Sequence, residues 1–244
     1  MEEILIFALV GVLVGLSKGG LGGPLPVALT VPLLSRIILP QQAVGIVLPL
    51  LMFADVFAVY FYWKEWDKRY LTYLLIPGLI GVAFGTFILK DIDEQTLKRI
   101  IGGFTLIAIS FKILNDRIKS IQYQPQIWHG WLAGWASGFA SALANVGGPP
   151  ITVYLLLQKN MSPRKFIGTN TLFFTIINWT KLPGFIGLGI LDVQKFLSIA
   201  WVLVIIPFAI YGARNIITRI NQKTFEWIMI IPLLILSISL LFFS

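Results

Sequence analysis

A lysine inside a glycine-rich break of an apolar run constrains this chain more than any other feature. Leu16-Ser17-Lys18-Gly19-Gly20-Leu21-Gly22-Gly23-Pro24-Leu25-Pro26 interrupts otherwise continuous apolar sequence. The same kind of break recurs as Ser141-Ala142-Leu143-Ala144-Asn145-Val146-Gly147-Gly148-Pro149-Pro150. In a bilayer, backbone groups left unpaired at a helix break cost several kcal/mol each unless protein or water satisfies them, so such breaks survive where they line a cavity. Two breaks in matched positions predict one divided binding site.

The bilayer itself follows from composition. With 57% hydrophobic and 12% charged residues over 244 positions, and a mean hydropathy of +0.85, the chain carries more apolar surface than one soluble core would bury. Its charges collect in short clusters between apolar runs of about 18 residues or more, the pattern of spanning helices. A barrel would alternate at period two. The expectation is an all-α, polytopic protein of the cell membrane. Met1-Glu2-Glu3 is acidic and no small-residue cleavage site follows, so the first helix belongs to the mature fold. The absence of cysteine excludes disulfides and thiolate chemistry. The net charge of +8 belongs to cytoplasmic loops rather than to a nucleic-acid surface. Homo-oligomerisation is left open.

Taken in order, Ile4 to Leu16 and Pro24 to Ile38 are each too short to span comfortably as helices and read as a pair of half-length helices. Gln41 to Trp63, Tyr70 to Leu89 and Thr96 to Leu114 are long enough to span. The second half repeats this order: Ile127 to Gln158 broken at Gly147-Gly148, then Phe166 to about Pro183, Phe196 to Ala213 and Thr224 to Phe243. Short matches share the order too: Gly22-Gly23-Pro24 with Gly147-Gly148-Pro149, Val44-Gly45 with Ile167-Gly168, Ile76-Pro77 with Ile206-Pro207, Gln95-Thr96-Leu97 with Lys223-Thr224-Phe225, and Asp55 with Asn178. The chain therefore reads as one membrane domain with repeat 1 over 1–114, a linker over 115–126 and repeat 2 over 127–244.

Loop charges orient the repeats. If each broken helix is a hairpin, every half makes three full crossings and the halves are inverted. One side then carries Arg36, Lys90, Lys98, Arg99, Lys181 and Lys195, and the other carries twelve basic residues. Lys18 in the break completes the 19. That imbalance is the one expected between external and cytoplasmic loops, which favours the hairpins and puts both termini outside.

The candidate site follows from the breaks. Gly19, Gly20, Gly22 and Gly23 in the first, and Gly147 and Gly148 in the second, let backbone approach a ligand, and helix starts near Pro24 and Pro149 favour an anion. Small residues also serve tight helix packing, the competing reading. Lys18 needs an anion nearby, either substrate or Asp55, the one acidic residue clearly inside a predicted span. Asp55 is also the candidate for proton coupling. Asn145 occupies the second break, with Ser137 and Ser141 before it on a similar face as hydrogen-bond donors. Thr169, Asn170 and Thr171, then Asn178 and Lys181, form a further polar run in an apolar helix. The threonines are read first as bonding their own helix backbone. Asn170 and Asn178 are costlier to bury. His129, between Trp128 and Trp131, reads as an interfacial anchor rather than a ligand. There is no metal cluster, and no cofactor is expected.

Gly15-Leu16-Ser17-Lys18-Gly19-Gly20-Leu21-Gly22-Gly23-Pro24, Pro32-Leu33-Leu34 and Pro40-Gln41-Gln42-Ala43-Val44-Gly45, with Gly134 through Pro150 and Phe166-Ile167-Gly168-Thr169-Asn170, resemble the TauE/SafE family of sulfite and organosulfonate exporters. The resemblance covers nearly the whole chain and implies a transporter of sulfur oxyanions, sulfonates or related small organic acids. The expected function is a secondary transporter that exports a small anion by alternating access, with a proton as coupling ion. A passive anion channel and a membrane-embedded lipid-phosphate hydrolase are the alternatives. The hydrolase needs an acidic or histidine cluster beside the phosphate, and neither break carries one, so the chain reads as no enzyme.

Overall fold

The computed structural model of the chain describes residues 2–19, 25–118, 126–158, 161–216, 230–231, 234–235 and 237–242. Every regular element assigned among them is an α-helix: α1 (Glu2–Lys18), α2 (Leu25–Leu34), α3 (Pro40–Phe61), α4 (Lys68–Leu89), α5 (Glu94–Ile118), α6 (Ile127–Ala144), α7 (Gly148–Leu156), α8 (Pro163–Gly187), α9 (Val193–Ser198) and α10 (Val202–Ile216). Both breaks are present as helix interruptions, α1 from α2 and α6 from α7.

Local chemistry explains the helix starts. Pro40 and Pro163 stand in the first turns of α3 and α8, where the missing N–H costs nothing and φ is already set. Asp67, Ser162 and Asp192 cap α4, α8 and α9 by accepting from the backbone amides of Arg69, Lys165 and Lys195. At α6 the expected anchor His129 closes a capping box, its Nδ1 accepting from the Gln126 amide at 2.9 Å, and it stacks on Trp128.

Three boundaries depart from expectation. The segment expected to stop near Pro183 continues as α8 to Gly187, and the single helix expected over Phe196 to Ala213 is divided into α9 and α10. A proline removes one helix hydrogen bond, but surrounding helices re-satisfy the freed group, and α3, α4 and α10 likewise run through Pro49, Pro77 and Pro207. α5 runs on to Ile118, into the stretch read as a linker, and 119–125 lie outside the described residues. So does much of the last expected segment, of which 230–231, 234–235 and 237–242 are helical.

Among the described residues, α3 and α4 are each both long and apolar enough to cross a membrane, and α10 holds a shorter apolar stretch over Val202–Ala213. α5 and α8 have 25 residues each and carry more charge. α4 turns Ile76, Ile80, Phe84 and Phe87 outward, all more than half exposed. An exposed apolar stripe of that kind suits lipid.

Glycines set two intimate crossings. On the face of α6, Gly134 and Gly138 lie against the Leu74 and Gly78 carbonyls of α4, while Gly81 of α4 lies against the Trp135 carbonyl; a Cβ at any of the three would collide with main chain. Along α1 and just past its end, Gly11, Gly15 and Gly19 lie against the side chains of Val202, Ala209 and Ala213 of α10, with no room for a Cβ. Such small-residue seams let backbones approach and are the standard membrane packing device. α3 runs through the middle, its Val44, Ile46, Val47, Leu48 and Leu50 fully buried, with α1, α8 and α10 among the helices against it.

Candidate functional site

Polar groups converge where the broken helices end against α3 and α8. Lys18 is the last residue of α1, and its ammonium forms an ion pair with Oδ1 of Asp55 on α3. Asp55 is fully buried and the Lys18 side chain is 16% exposed. The second carboxylate oxygen, Oδ2, accepts from Asn178 Nδ2 of α8 at 2.8 Å. Asp55 thus joins α1 and α8 through its two carboxylate oxygens. A cation at a helix C-terminus is also favoured by the helix dipole.

One turn beyond Asn178 on α8 stands Lys181, 1% exposed. This corrects its count among the external-side charges: it stays inside the helix, as its place in the polar run implied, and its side chain is buried in the protein rather than exposed at a helix end. Its Nζ donates to Asn145 Oδ1 at 2.7 Å and to the Ser141 carbonyl and hydroxyl oxygens at 3.1 Å each. The Phe185 ring lies beside it, 5.8 Å from Nζ to the centroid. The second break thus has a lysine too, delivered from another helix. The signal was in the sequence as the spacing of three between Asn178 and Lys181, which puts both on one helical face.

Asn145 turns the chain at that break. It ends α6 with φ 55° and ψ 23°, a left-handed conformation that asparagine tolerates better than most residues, and its Nδ2 donates to the Val44 carbonyl of α3 at 3.0 Å. Below it, Ser137 Oγ accepts from the Ile151 amide of α7 at 3.1 Å. Since Pro149 and Pro150 have no N–H, that bond occupies the donor of the third residue after Gly148. The second break therefore presents side chains more than helix-start amides. Gly147 fits where a Cβ would run into the Ser137 carbonyl, the Ser141 side chain and the Phe174 ring, so close packing accounts for it.

Of the expected site residues, Lys18, Asp55, Ser141 and Asn145 belong to this cluster. Gly19 packs on α10 and Gly148 opens α7. Gly20, Gly22 and Gly23, with Pro24, lie outside the described residues. Thr169 sits elsewhere: its hydroxyl accepts from the Asp67 amide at 2.9 Å, pinning the turn between α3 and α4 to the start of α8, where Lys165 pairs with Asp67 and Arg164 with Glu65. Asn170 is two turns before Asn178, about 12 Å along the axis, and its Oδ1 is buried with no hydrogen-bond partner. The buried Thr86 Oγ1 of α4 is in the same condition. Among the described residues no three His, Asp or Glu side chains gather as a metal site would require.

Comparison with known proteins supplies a family. The family described as "Sulfite exporter TauE/SafE" matches residues 6–240. A Bacillus subtilis (strain 168) protein named "Probable membrane transporter protein YtnM" is 29% identical over 208 residues, which cover 80% of this chain and 68% of that relative. No solved structure matches significantly. The match over most of the chain, on an all-α fold with membrane-length apolar helices, establishes that the chain belongs to the TauE/SafE family and is a membrane transporter, not an enzyme.

Proposed function

We propose that the chain is a secondary transporter that exports a small anion, a sulfur oxyanion or an organosulfonate, by alternating access of two inverted repeats around the cluster at the breaks. The observation that carries this reading is the convergence of both broken helices on one buried polar cluster holding two lysines. Buried ionisable groups in membrane helices are expensive and mark transport pathways. Discontinuous helices meeting near the midplane are the usual way a transporter builds an ion site.

Repeated contacts support the two halves. The α1–α10 and α6–α4 crossings use glycines of the first broken helix of one half against the helix two further on in the other. Gly45 at the start of α3 lies against the Ile190 carbonyl, and its match Gly168 at the start of α8 lies against Glu65. Each of these glycines abuts the connection that follows the equivalent helix of the other half. With inverted halves, both termini lie on the external side.

In this mechanism Lys18, Ser141 and Asn145 hold the anion, and Asn170, whose Oδ1 is buried without a hydrogen-bond partner, lines its path along α8. Asp55 couples it to a proton. It does so through its ion pair with Lys18. Reconstituted protein tests the scheme. Sulfite or methanesulfonate flux is expected to saturate and to run uphill on a proton gradient, and Lys18→Met is expected to weaken anion binding at least about tenfold, equivalent to 1.4 kcal/mol. Unsaturable flux that never runs uphill would point to a channel, and unchanged affinity in a folded Lys18→Met protein would remove Lys18 from the site.

A further inference from the structure

The charge balance of the cluster points to the kind of anion it takes. Lys181 is 1% exposed, yet its hydrogen-bond partners, the Ser141 carbonyl, the Ser141 hydroxyl and the Asn145 amide oxygen, are all neutral. The charged groups near enough to act on it are Asp55 and Lys18, and these two are paired with each other. Among the described residues the cluster therefore holds two ammonium groups against one carboxylate. With Lys181 protonated, that leaves one positive charge inside a protein whose neighbouring side chains are mostly apolar. An uncompensated charge is unfavourable there. One monovalent anion balances it. A divalent anion would reverse the sign of the excess and be disfavoured for the same reason.

We infer that Lys181 is the ammonium the transported anion neutralises, and that the site selects singly charged oxyanions, such as monosulfonates, hydrogensulfite or monocarboxylates, over dianions. The inference rests on the anion-transport reading above and adds the residue and the charge state to it. Asn145 and Ser141 hold Lys181 at the second break, and the anion replaces part of their hydrogen bonding while Phe185 keeps water from one side. The competing role is structural: Lys181 closes the C-terminus of α6 through the Ser141 carbonyl and meets no ligand.

The test uses the whole purified protein in detergent, with methanesulfonate and sulfate as probes and ligand-induced thermal stabilisation and calorimetry as readouts. Wild type is expected to bind methanesulfonate at least about tenfold more tightly than sulfate, and Lys181→Met to weaken methanesulfonate binding by about tenfold or more. Lys181→Gln keeps a donor for Asn145 without the charge and is expected to lose binding equally, so the test stands if the Met variant does not fold. Methanesulfonate binding unchanged in the folded variants would leave Lys181 as a cap of α6 and overturn the inference while anion transport stood. Equal affinity for sulfate would overturn the charge selection. A wild-type protein that binds neither probe, nor sulfite or a small carboxylate, would overturn the anion reading itself and this inference with it.

Discussion

At the first break the cation belongs to the broken helix, Lys18 closing α1, and its counter-charge Asp55 comes from α3. At the second, α6 closes on neutral Asn145 and the cation reaches in from α8 as Lys181. In the register that matches Gly22-Gly23 with Gly147-Gly148, Leu143 stands opposite Lys18, and in the register that matches Asp55 with Asn178, Ala58 stands opposite Lys181. Each break thus receives one ammonium near a helix C-terminus, where the dipole favours it, from a different place in the sequence. The difference teaches that what the two breaks hold in common is a charge placed near a helix end, not the residue that supplies it.

Removing the carboxylate should break this comparison most severely. Asp55→Leu leaves Lys18 and Lys181 as neighbouring buried cations and is expected to destabilise the protein by about 3–5 kcal/mol, the usual cost of orphaning a buried ion-pair partner. Adding Lys18→Met should restore most of the loss in thermal unfolding. If Asp55→Leu unfolds at the wild-type temperature, the ion pair does not hold the first break.

The second break should respond through its backbone. Asn145→Ala and Asn145→Gly both delete the bonds to Lys181 and Val44, but only glycine is at ease at φ 55°. The alanine variant should therefore be less stable than the glycine variant by about 1–2 kcal/mol. Equal melting temperatures would show that the left-handed turn does not hold the chain at α6–α7.

The smallest effect lies far from both breaks. Asp93, in the connection before α5, accepts from the Thr96 amide at 2.9 Å, and the hydrogen bonds from Thr96 hold its carboxyl below the ordinary carboxylate range. A depressed pKa in the folded state stabilises above the ordinary carboxylate pKa, and that stabilisation is lost as pH falls through the lowered value. Asp93→Asn should flatten a slight acid-side slope in unfolding measurements; an unchanged slope would show that the cap on α5 is not its source.

Much of the architecture was legible because the signals are local. The breaks at Gly19 and Asn145 and the spans over α3 and α4 follow from glycine, proline and unbroken apolar runs. Asp55 is conspicuous as the acidic residue in such a run, and the need of Lys18 for an anion pointed to their ion pair, whereas the bond from Asn178 to Asp55 was not legible. Lys181 was misplaced for a physical reason: Pro183 reads as a stop when a helix is considered alone, whereas packed neighbours let α8 continue to Gly187. The polar run from Thr169 was legible as polar but not as divided, because only the fold sends Thr169 to the Asp67 amide and Lys181 to Asn145.

The sequence by itself determined a membrane protein of broken and unbroken helices, because hydropathy, proline and glycine act on the residues beside them. Tertiary structure alone decided which charges meet. Lys18 is 37 positions from Asp55, and Lys181 is 36 from Asn145. Over such separations partners are chosen by how helices cross, and small-residue seams fix two of the crossings around the cluster, α6 on α4 and α1 on α10.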